Sequence, residues 1–139
     1  MNRTGVLLLG LLLLGGYWEL WSQNRENRPG KYIHPTIKSD SAFRAAIAAQ
    51  PVAVIDFWAV WCRPCQLFLP EYEEVAKTMH KKAGFYKLDF DLCKATNEQY
   101  QVVAIPAIII FKEGKEVKRY VGLTSKERII ADLKLIANY

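Results

Sequence analysis

The feature that most constrains the fold is an apolar run near the middle of the chain. Residues 51–59, PVAVIDFWA, are apolar and mostly β-branched or aromatic, and they include a single carboxylate, Asp56. A strand with one face in solvent alternates polar and apolar residues, whereas a strand covered on both faces is apolar throughout. The run therefore predicts a central strand with other elements packed against both of its faces.

Helical and extended patterns precede and follow this strand. The segment YIHPTI is a candidate edge strand, weakened by Pro35, and Ser39 is placed to cap the helix DSAFRAAIAAQ that comes next. After the central strand, QLFLPEYEEVAKTMHKK has helical spacing, and Pro70 is expected to kink this helix because proline removes a backbone hydrogen bond.

The second half of the chain completes an α/β pattern. It contains a strand GFYKLDF, a short helix around 95–100, strands AIIIF and EVKRYV joined by a turn at Gly114, and a helix opened by a capping box from Thr124 to Glu127. Alternation implies parallel pairing at first, and the late hairpin adds an antiparallel edge. The predicted fold is α/β, with a mixed central sheet and helices on both faces.

The first 21 residues, MNRTGVLLLGLLLLGGYWELW, have the layout of an export signal. A basic head at Arg3 precedes a leucine-rich run and then an aromatic cluster at Tyr17, Trp18 and Trp21. No Ala-x-Ala-like cleavage site follows the run, so we predict an uncleaved signal anchor over 1–21. As a helix, residues 4–21 would rise about 27 Å, against a hydrocarbon core of about 30 Å.

The segment after the anchor predicts the domain boundary and bears on orientation. Residues 22–30, SQNRENRPG, form a polar linker, and the globular domain is expected over 31–139. Arg25, Arg28 and Lys31 follow the anchor, which by the positive-inside rule favours a cytoplasmic domain. The order of the signal favours export, so we expect an extracytoplasmic domain, periplasmic in a bacterium, with the cytoplasmic side as the alternative.

The charge of the chain does not identify a partner. The net charge of +5 comes from Lys and Arg spread along the sequence and mixed with Asp and Glu. No basic stripe with interleaved aromatic residues is present, which argues against nucleic-acid binding. We expect a monomer.

Two cysteines lie close together in the stretch WAVWCRPCQ. Cys62 and Cys65 could bind a metal, form a structural disulfide or exchange electrons. A structural zinc site needs four ligands, and the remaining candidates, Cys93, His34 and His80, are not at metal-like spacing. Three cysteines are also too few for a disulfide-stapled miniprotein. We therefore predict no metal.

The position of the pair between a strand and a helix predicts different roles for its two thiols. Cys62 would open the helix, where unpaired backbone N–H groups and the helix dipole stabilise a thiolate and lower its pKa. Cys65, one turn later, would be less exposed and could attack a mixed disulfide on Cys62. Cys62 is thus the predicted nucleophile and Cys65 the resolving thiol.

Asp56 is a candidate proton acceptor. Burial of a carboxyl in the strand VAVIDFWA should raise its pKa toward neutrality, which would let it accept the proton of Cys65. The alternative is an aspartate at the end of the strand that faces solvent or caps a turn.

The chain resembles thioredoxin from about Tyr32 to Tyr139. The motifs that carry the resemblance occur in the order and at the spacing of that family, and they are VIDFWAVWCRPCQLFLPEYEEVA, YKLDFD and QVVAIPAIIIFKEGKEVKRYVGLTSKERI. The resemblance implies a thioredoxin fold, with Cys62 as attacking thiol, Cys65 as resolving thiol and Asp56 as buried acid near Lys87. It also implies a client-binding groove, a cis bond before Pro106 and no bound metal or organic cofactor. The groove residues that it implies are Trp61, Pro64, Ile105, Pro106 and Gly122, and we add Arg63, which lies between Cys62 and Pro64, as a further candidate.

Departures from the family pattern concern the surface around the cysteines. Arg63 replaces the usual glycine, and a cation there should stabilise the thiolate and make the disulfide more oxidising, unless the side chain points to solvent. Val60, Ala104 and Ala107 make the groove more apolar and less negative. Cys93 is expected to be a partly buried inert thiol, with a regulatory disulfide as the alternative.

The resemblance favours electron exchange and predicts a function. We expect a membrane-anchored protein-disulfide reductase whose partners are disulfide-containing client proteins and an upstream thiol electron donor. There are two alternatives. One is a net disulfide oxidase or isomerase, and the other is a thioredoxin-fold binding or chaperone module.

Overall fold

A computed structural model describes residues 30–138, and the contacts divide the chain after Lys31, with Tyr32–Tyr139 as one unit. The elements of that unit are α1 (Asp40–Ala49), β1 (Val52–Trp58), α2 (Arg63–Met79), β2 (Gly84–Asp89), α3 (Lys94–Gln99), β3 (Ala107–Lys112), β4 (Lys115–Val121) and α4 (Lys126–Asn138). None of the helices in residues 30–138 is long and apolar enough to cross a membrane. The predicted anchor over 1–21 lies outside the described residues.

The strands form one mixed sheet in the order β2-β1-β3-β4, so β1 is central as predicted. β1 runs parallel to β2 and antiparallel to β3, and β3 runs antiparallel to β4. The hairpin of β3 and β4 therefore adds an antiparallel edge to the sheet, as predicted. Within the hairpin, β3 lies against β1 and β4 forms the edge, because AIIIF is buried throughout whereas most side chains of β4 are exposed or half-buried.

Helices cover both faces of the sheet, as predicted. Alternate side chains of each strand point to opposite faces. On one face, Val52 and Val54 pack with residues of α2 and α4, including Tyr72 and Leu133. On the other face, Ile55 packs with residues of α1 and with Tyr100, which follows α3. The central strand is apolar because it contributes to both of these cores.

The predicted edge strand YIHPTI is an extended segment with a single bridge, Ile37 to Leu88. The N–H of His34 donates to Phe85 O at 2.8 Å, and that of Ile37 donates to Lys87 O at 2.7 Å. Pro35 has no N–H group and cannot contribute to a regular ladder. The segment therefore follows the β2 edge without forming a full strand.

The predicted capping box from Thr124 to Glu127 is replaced by a single serine cap one residue later. Ser125, rather than Thr124, caps α4, since Ser125 Oγ accepts a hydrogen bond from the Arg128 N–H at 3.4 Å. Thr124 Oγ1 is buried and has no hydrogen-bond partner among the described residues. Threonine and serine are both good caps, so adjacent candidates are not separated by sequence alone.

Tyr72 joins α2 to the sheet, and its loss should lower stability. Its buried hydroxyl lies 3.0 Å from Val54 O and 2.8 Å from Tyr86 O, and its proton is shared between these carbonyls. Replacing Tyr72 by phenylalanine should lower the free energy of unfolding by about 1–2 kcal/mol, measured by urea denaturation. Tyr100→Phe is the control, because the Tyr100 hydroxyl has no hydrogen bond with the described residues; equal losses in the two variants would contradict the prediction.

Candidate active site

Cys62 lies at the junction between the end of β1 and the start of α2. It is the N-cap residue of α2, and its Sγ accepts a hydrogen bond from the Cys65 N–H at 3.2 Å. Pro64 occupies the first turn of the helix, where its missing N–H has no helical partner to lose. The two cysteines form a disulfide bond with a Cα–Cα distance of 5.3 Å.

Both sulfurs are covered by neighbouring side chains. Cys62 is 4% exposed and Cys65 is 3% exposed, so the expected difference in exposure between the two is small in this oxidised pair. The cover comes from apolar side chains packed around the pair, namely Trp58, Ala59, Phe90 and Ile105. The two cysteines of this oxidised pair differ in their hydrogen bonding. Among the described residues, only Cys62 Sγ, at the N-cap position, accepts a hydrogen bond from a backbone N–H of the first helical turn.

Asp56 is buried within β1 and is not the solvent-facing aspartate of the alternative interpretation. It is 1% exposed, and its Oδ1 has no hydrogen-bond partner within the described chain. Since Val54 points toward α2, Asp56 two residues later points toward α2 as well. Burial raises the pKa of Asp56 to about 7, although the nearby Lys87 ammonium acts in the opposite direction.

Lys87 is the cross-strand neighbour of Asp56 on β2. Its Nζ lies 3.7 Å from the centroid of the Trp58 ring, a cation–π contact that the sequence analysis did not foresee. Burial lowers the pKa of Lys87, while the carboxylates of Asp56 and Glu73 oppose that shift. Trp58 thus contacts the lysine and also packs against the cysteine cluster.

The segment before β3 and the residue after β4 meet beside the cysteines. The Ile105–Pro106 peptide bond is cis, as the resemblance implied. The Gly122 N–H donates a hydrogen bond to Pro106 O at 2.8 Å, and Gly122 has a φ of 80°, which glycine adopts without strain. Ile105 packs against the cysteine cluster. The structure therefore places Ile105 against the cysteine pair and holds Gly122 next to Pro106, the residue that follows Ile105.

The thioredoxin family model matches residues 34–135, which is most of the chain and almost all of the described unit. The chain belongs to the thioredoxin family. A thioredoxin of Staphylococcus epidermidis is 41% identical over 91 residues, covering 66% of this chain and 86% of the relative. A thioredoxin of Alicyclobacillus acidocaldarius is 37% identical over 95 residues, covering 68% and 90%.

Solved structures agree with these relatives. The thioredoxin of Malassezia sympodialis superposes with a TM-score of 0.66 at 31% identity, covering 73% of this chain and 89% of that one. Membership of the thioredoxin family and the Cys62–Cys65 pair make this chain a thiol-disulfide oxidoreductase. Proteins of the family act on disulfide-containing substrates and receive electrons from thiol donors.

This thioredoxin-family protein has an exposed, mainly apolar rim beside its cysteine pair. Trp61 is 64% exposed, and its Nε1–H donates to Asp91 Oδ2 at 2.8 Å, a partner that the sequence analysis missed. Val60 is 66% exposed. Arg63 and Pro64 are exposed too, and Arg63 forms no ion pair with the residues that the structure describes.

The third cysteine of this thioredoxin-family protein lies apart from the pair. Cys93 is fully buried, more deeply than expected, in the core formed with α1. Burial raises the pKa of its thiol to about 11, which disfavours the reactive thiolate. In residues 30–138, no group of three or more His, Cys, Asp and Glu side chains is arranged to hold a metal ion.

Proposed function

We propose that this thioredoxin-family protein is a protein-disulfide reductase in which Cys62 attacks the client and Cys65 resolves the intermediate. The observation that supports this most is the buried Asp56 carboxyl, which points toward the helix of Cys65 and has a pKa of about 7. A group that titrates near neutrality is suited to exchange a proton with a thiol during turnover.

The proposed reaction proceeds in two exchanges. The Cys62 thiolate attacks one sulfur of a client disulfide, and the other client sulfur leaves as a thiolate and takes a proton. Asp56 then accepts the proton of Cys65, whose thiolate attacks Cys62 Sγ and breaks the mixed disulfide. The second client sulfur leaves as a thiolate and takes a proton from the solvent, so the client is released with two thiols. The protein then holds the Cys62–Cys65 disulfide, and an upstream dithiol donor reduces it again. Lys87 is proposed to tune the protonation of Asp56.

The client is proposed to bind as an extended segment beside Pro106. The Ile105 backbone would pair with the client main chain, and Pro106 and Gly122 would keep this side of the groove free of bulky groups. Trp61, Arg63 and Pro64 would line the opposite side, next to Cys62. This arrangement is supported by the contacts that bring Ile105, Pro106 and Gly122 beside the cysteine cluster.

The reduction potential of the Cys62–Cys65 couple tests the direction of electron flow. A reductase should have a potential near the roughly −270 mV of thioredoxin, a reference protein for this scale. A net oxidase should lie near about −120 mV, and an isomerase near about −180 mV. Equilibration with a dithiol buffer of known potential would measure it, and a value in either of the latter ranges would contradict the proposed direction.

Arg63 is expected to raise that potential slightly. A guanidinium beside Cys62 favours the thiolate of the reduced form, so Arg63→Gly should lower the potential, by on the order of 10 mV because the side chain is exposed. The same equilibration measures the change, with Lys134→Gln, at an exposed lysine of α4, as a matched control for the loss of one exposed cation. A potential that is unchanged or higher in Arg63→Gly would exclude this role.

The remaining features of the proposal concern location. We propose that residues 1–21 anchor the protein in a membrane, that 22–30 form a linker, and that the domain over 31–139 faces an extracytoplasmic space as a monomer. The support is the order of basic, apolar and aromatic residues at the N-terminus. A domain in that space would need electrons relayed across the membrane, because such compartments lack the cytosolic thiol-reducing systems.

A further inference from the structure

The end of the domain opposite Cys62 is defined by the strand register. Cys62 follows the last residue of β1, so the start of β1 lies at the far end of the sheet. There Val52 pairs with Lys112, the last residue of β3, and Lys112 pairs with Lys115, the first residue of β4. α2 starts just after Cys62, at Arg63, and runs back along the sheet to Met79, so it ends at the same place. We call this surface, residues 77–82 and 112–116, the basal end.

The basal end is rich in positive charge. Its lysines are Lys77, Lys81, Lys82, Lys112 and Lys115, all exposed except the half-buried Lys112. Within the described residues none of these lysines forms an ion pair. Lys82 Nζ contacts Asn138 Oδ1 at 3.3 Å, and Lys112 Nζ contacts Ile136 O at 2.8 Å, so the acceptors are neutral.

Residues 77–82 and 112–116 contain fewer carboxylates than lysines. The basal end contains Glu113 and Glu116, and Arg119 binds both carboxylate oxygens of Glu116 at 2.8 Å. At the opposite end the charges are mixed, since Asp91 lies 3.7 Å from Lys94 and hydrogen-bonds Trp61. The domain therefore has a charge asymmetry, with its excess of cations at the end remote from the disulfide.

The chain also enters the domain at the basal end. The Tyr32 ring lies 4.4 Å from the ring of His80, just after α2, and the chain then follows β2 toward Leu88. Upstream of Tyr32 lie the predicted linker 22–30 and the predicted anchor. A linker of this length has a root-mean-square span of about 17 Å, so an anchored chain keeps the basal end near the bilayer surface.

We propose that the basal end is a membrane-docking surface whose lysines bind anionic phospholipid headgroups and turn Cys62 away from the bilayer. Clustered lysines next to an anchor are attracted to anionic lipids over about one Debye length, roughly 10 Å at moderate salt. A nucleic acid presents similar charges, but the tether gives lipids a high effective concentration at this end. The inference uses the proposed anchor and leaves the proposed redox chemistry unchanged.

Lysine footprinting on the full chain tests the proposal. The protein is reconstituted into vesicles of phosphatidylcholine, with or without phosphatidylglycerol, and treated with an amine-reactive reagent before mass spectrometry. Lys81, Lys82 and Lys115 should react about threefold more slowly on the anionic vesicles, and high salt should remove the difference. Lys94, near Cys62, should react equally on both. Equal reactivity of the basal lysines on the two vesicles overturns the proposal.

A charge-reduced variant provides the second arm. Lys81→Gln combined with Lys82→Gln should abolish most of the protection of Lys115, and circular dichroism checks that the variant is folded. Undiminished protection of Lys115 in this variant overturns the proposal, as does protection of the wild-type lysines by a short RNA but not by phosphatidylglycerol.

Flotation with phosphatidylcholine vesicles at high salt tests the anchor separately, and insulin reduction by the same samples tests the reductase function.

Discussion

Replacing Asp56 by asparagine should stabilise the protein relative to wild type increasingly as the pH rises, by roughly 4 kcal/mol between pH 4 and pH 8. The pKa of Asp56 is raised from 3.8 to about 7 in the folded state by burial. Between these two values the unfolded chain releases the proton while the folded chain holds it, so wild-type stability falls with rising pH. Asparagine does not titrate, so the variant does not lose stability in this way as the pH rises. The cost of burying the amide is the same at every pH and does not change this trend.

Chemical denaturation of both proteins across this pH range measures the effect. Asp40→Asn is the matched control, because hydrogen bonds from Thr96 lower the pKa of Asp40 from 3.8. Its carboxyl is therefore ionised in both the folded and the unfolded state over most of this range, and the difference between Asp40→Asn and wild type should stay nearly constant. A difference between Asp56→Asn and wild type that does not grow with pH would mean that Asp56 titrates normally. The proposed proton transfer from Cys65 would then lose its main support.

Replacing Cys62 by serine should lower the rate of insulin-disulfide reduction by about a thousandfold or more. The attacking sulfur is lost, and a serine hydroxyl at the same position is not ionised near neutral pH and cannot form the mixed disulfide. The turbidity of precipitating insulin chains, with a small-molecule dithiol as electron donor, measures the rate.

Cys93→Ser is the matched control for Cys62→Ser. Cys93 is fully buried and belongs to a different core cluster from the pair, so reduction should continue at close to the wild-type rate. A binding or chaperone module would keep its activity in Cys62→Ser. Retained insulin reduction in that variant, or its loss in Cys93→Ser, would contradict the assignment of the pair.

Sequence patterns predicted the features that depend on continuous burial or on local chain direction. The apolar run of β1 predicted a central strand with both faces covered, and the following helix placed Cys62 at its first turn. Positive φ at Gly114 was also predicted, because the turn KEGK offers one residue that adopts it without strain. Each of these features is determined by residues close together in the chain.

Features that depend on distant contacts were not predictable in the same way. The contact of Lys87 with Trp58 requires the register of β2 against β1, and the bond from Trp61 to Asp91 joins two loops. Equal burial of Cys62 and Cys65 depends on side chains from Ile105 and Phe90, which no local pattern places beside them.

Trapping of a client on Cys62 tests the central claim most directly. In Cys65→Ser, the Cys62 thiolate can still attack a client disulfide, but no neighbouring thiol can release the product. Incubation with insulin should therefore give a stable covalent adduct, and peptide mapping by mass spectrometry should locate the insulin chain on Cys62. The absence of an adduct, or an adduct that forms equally well in a variant that also carries Cys62→Ser, would contradict the proposed mechanism.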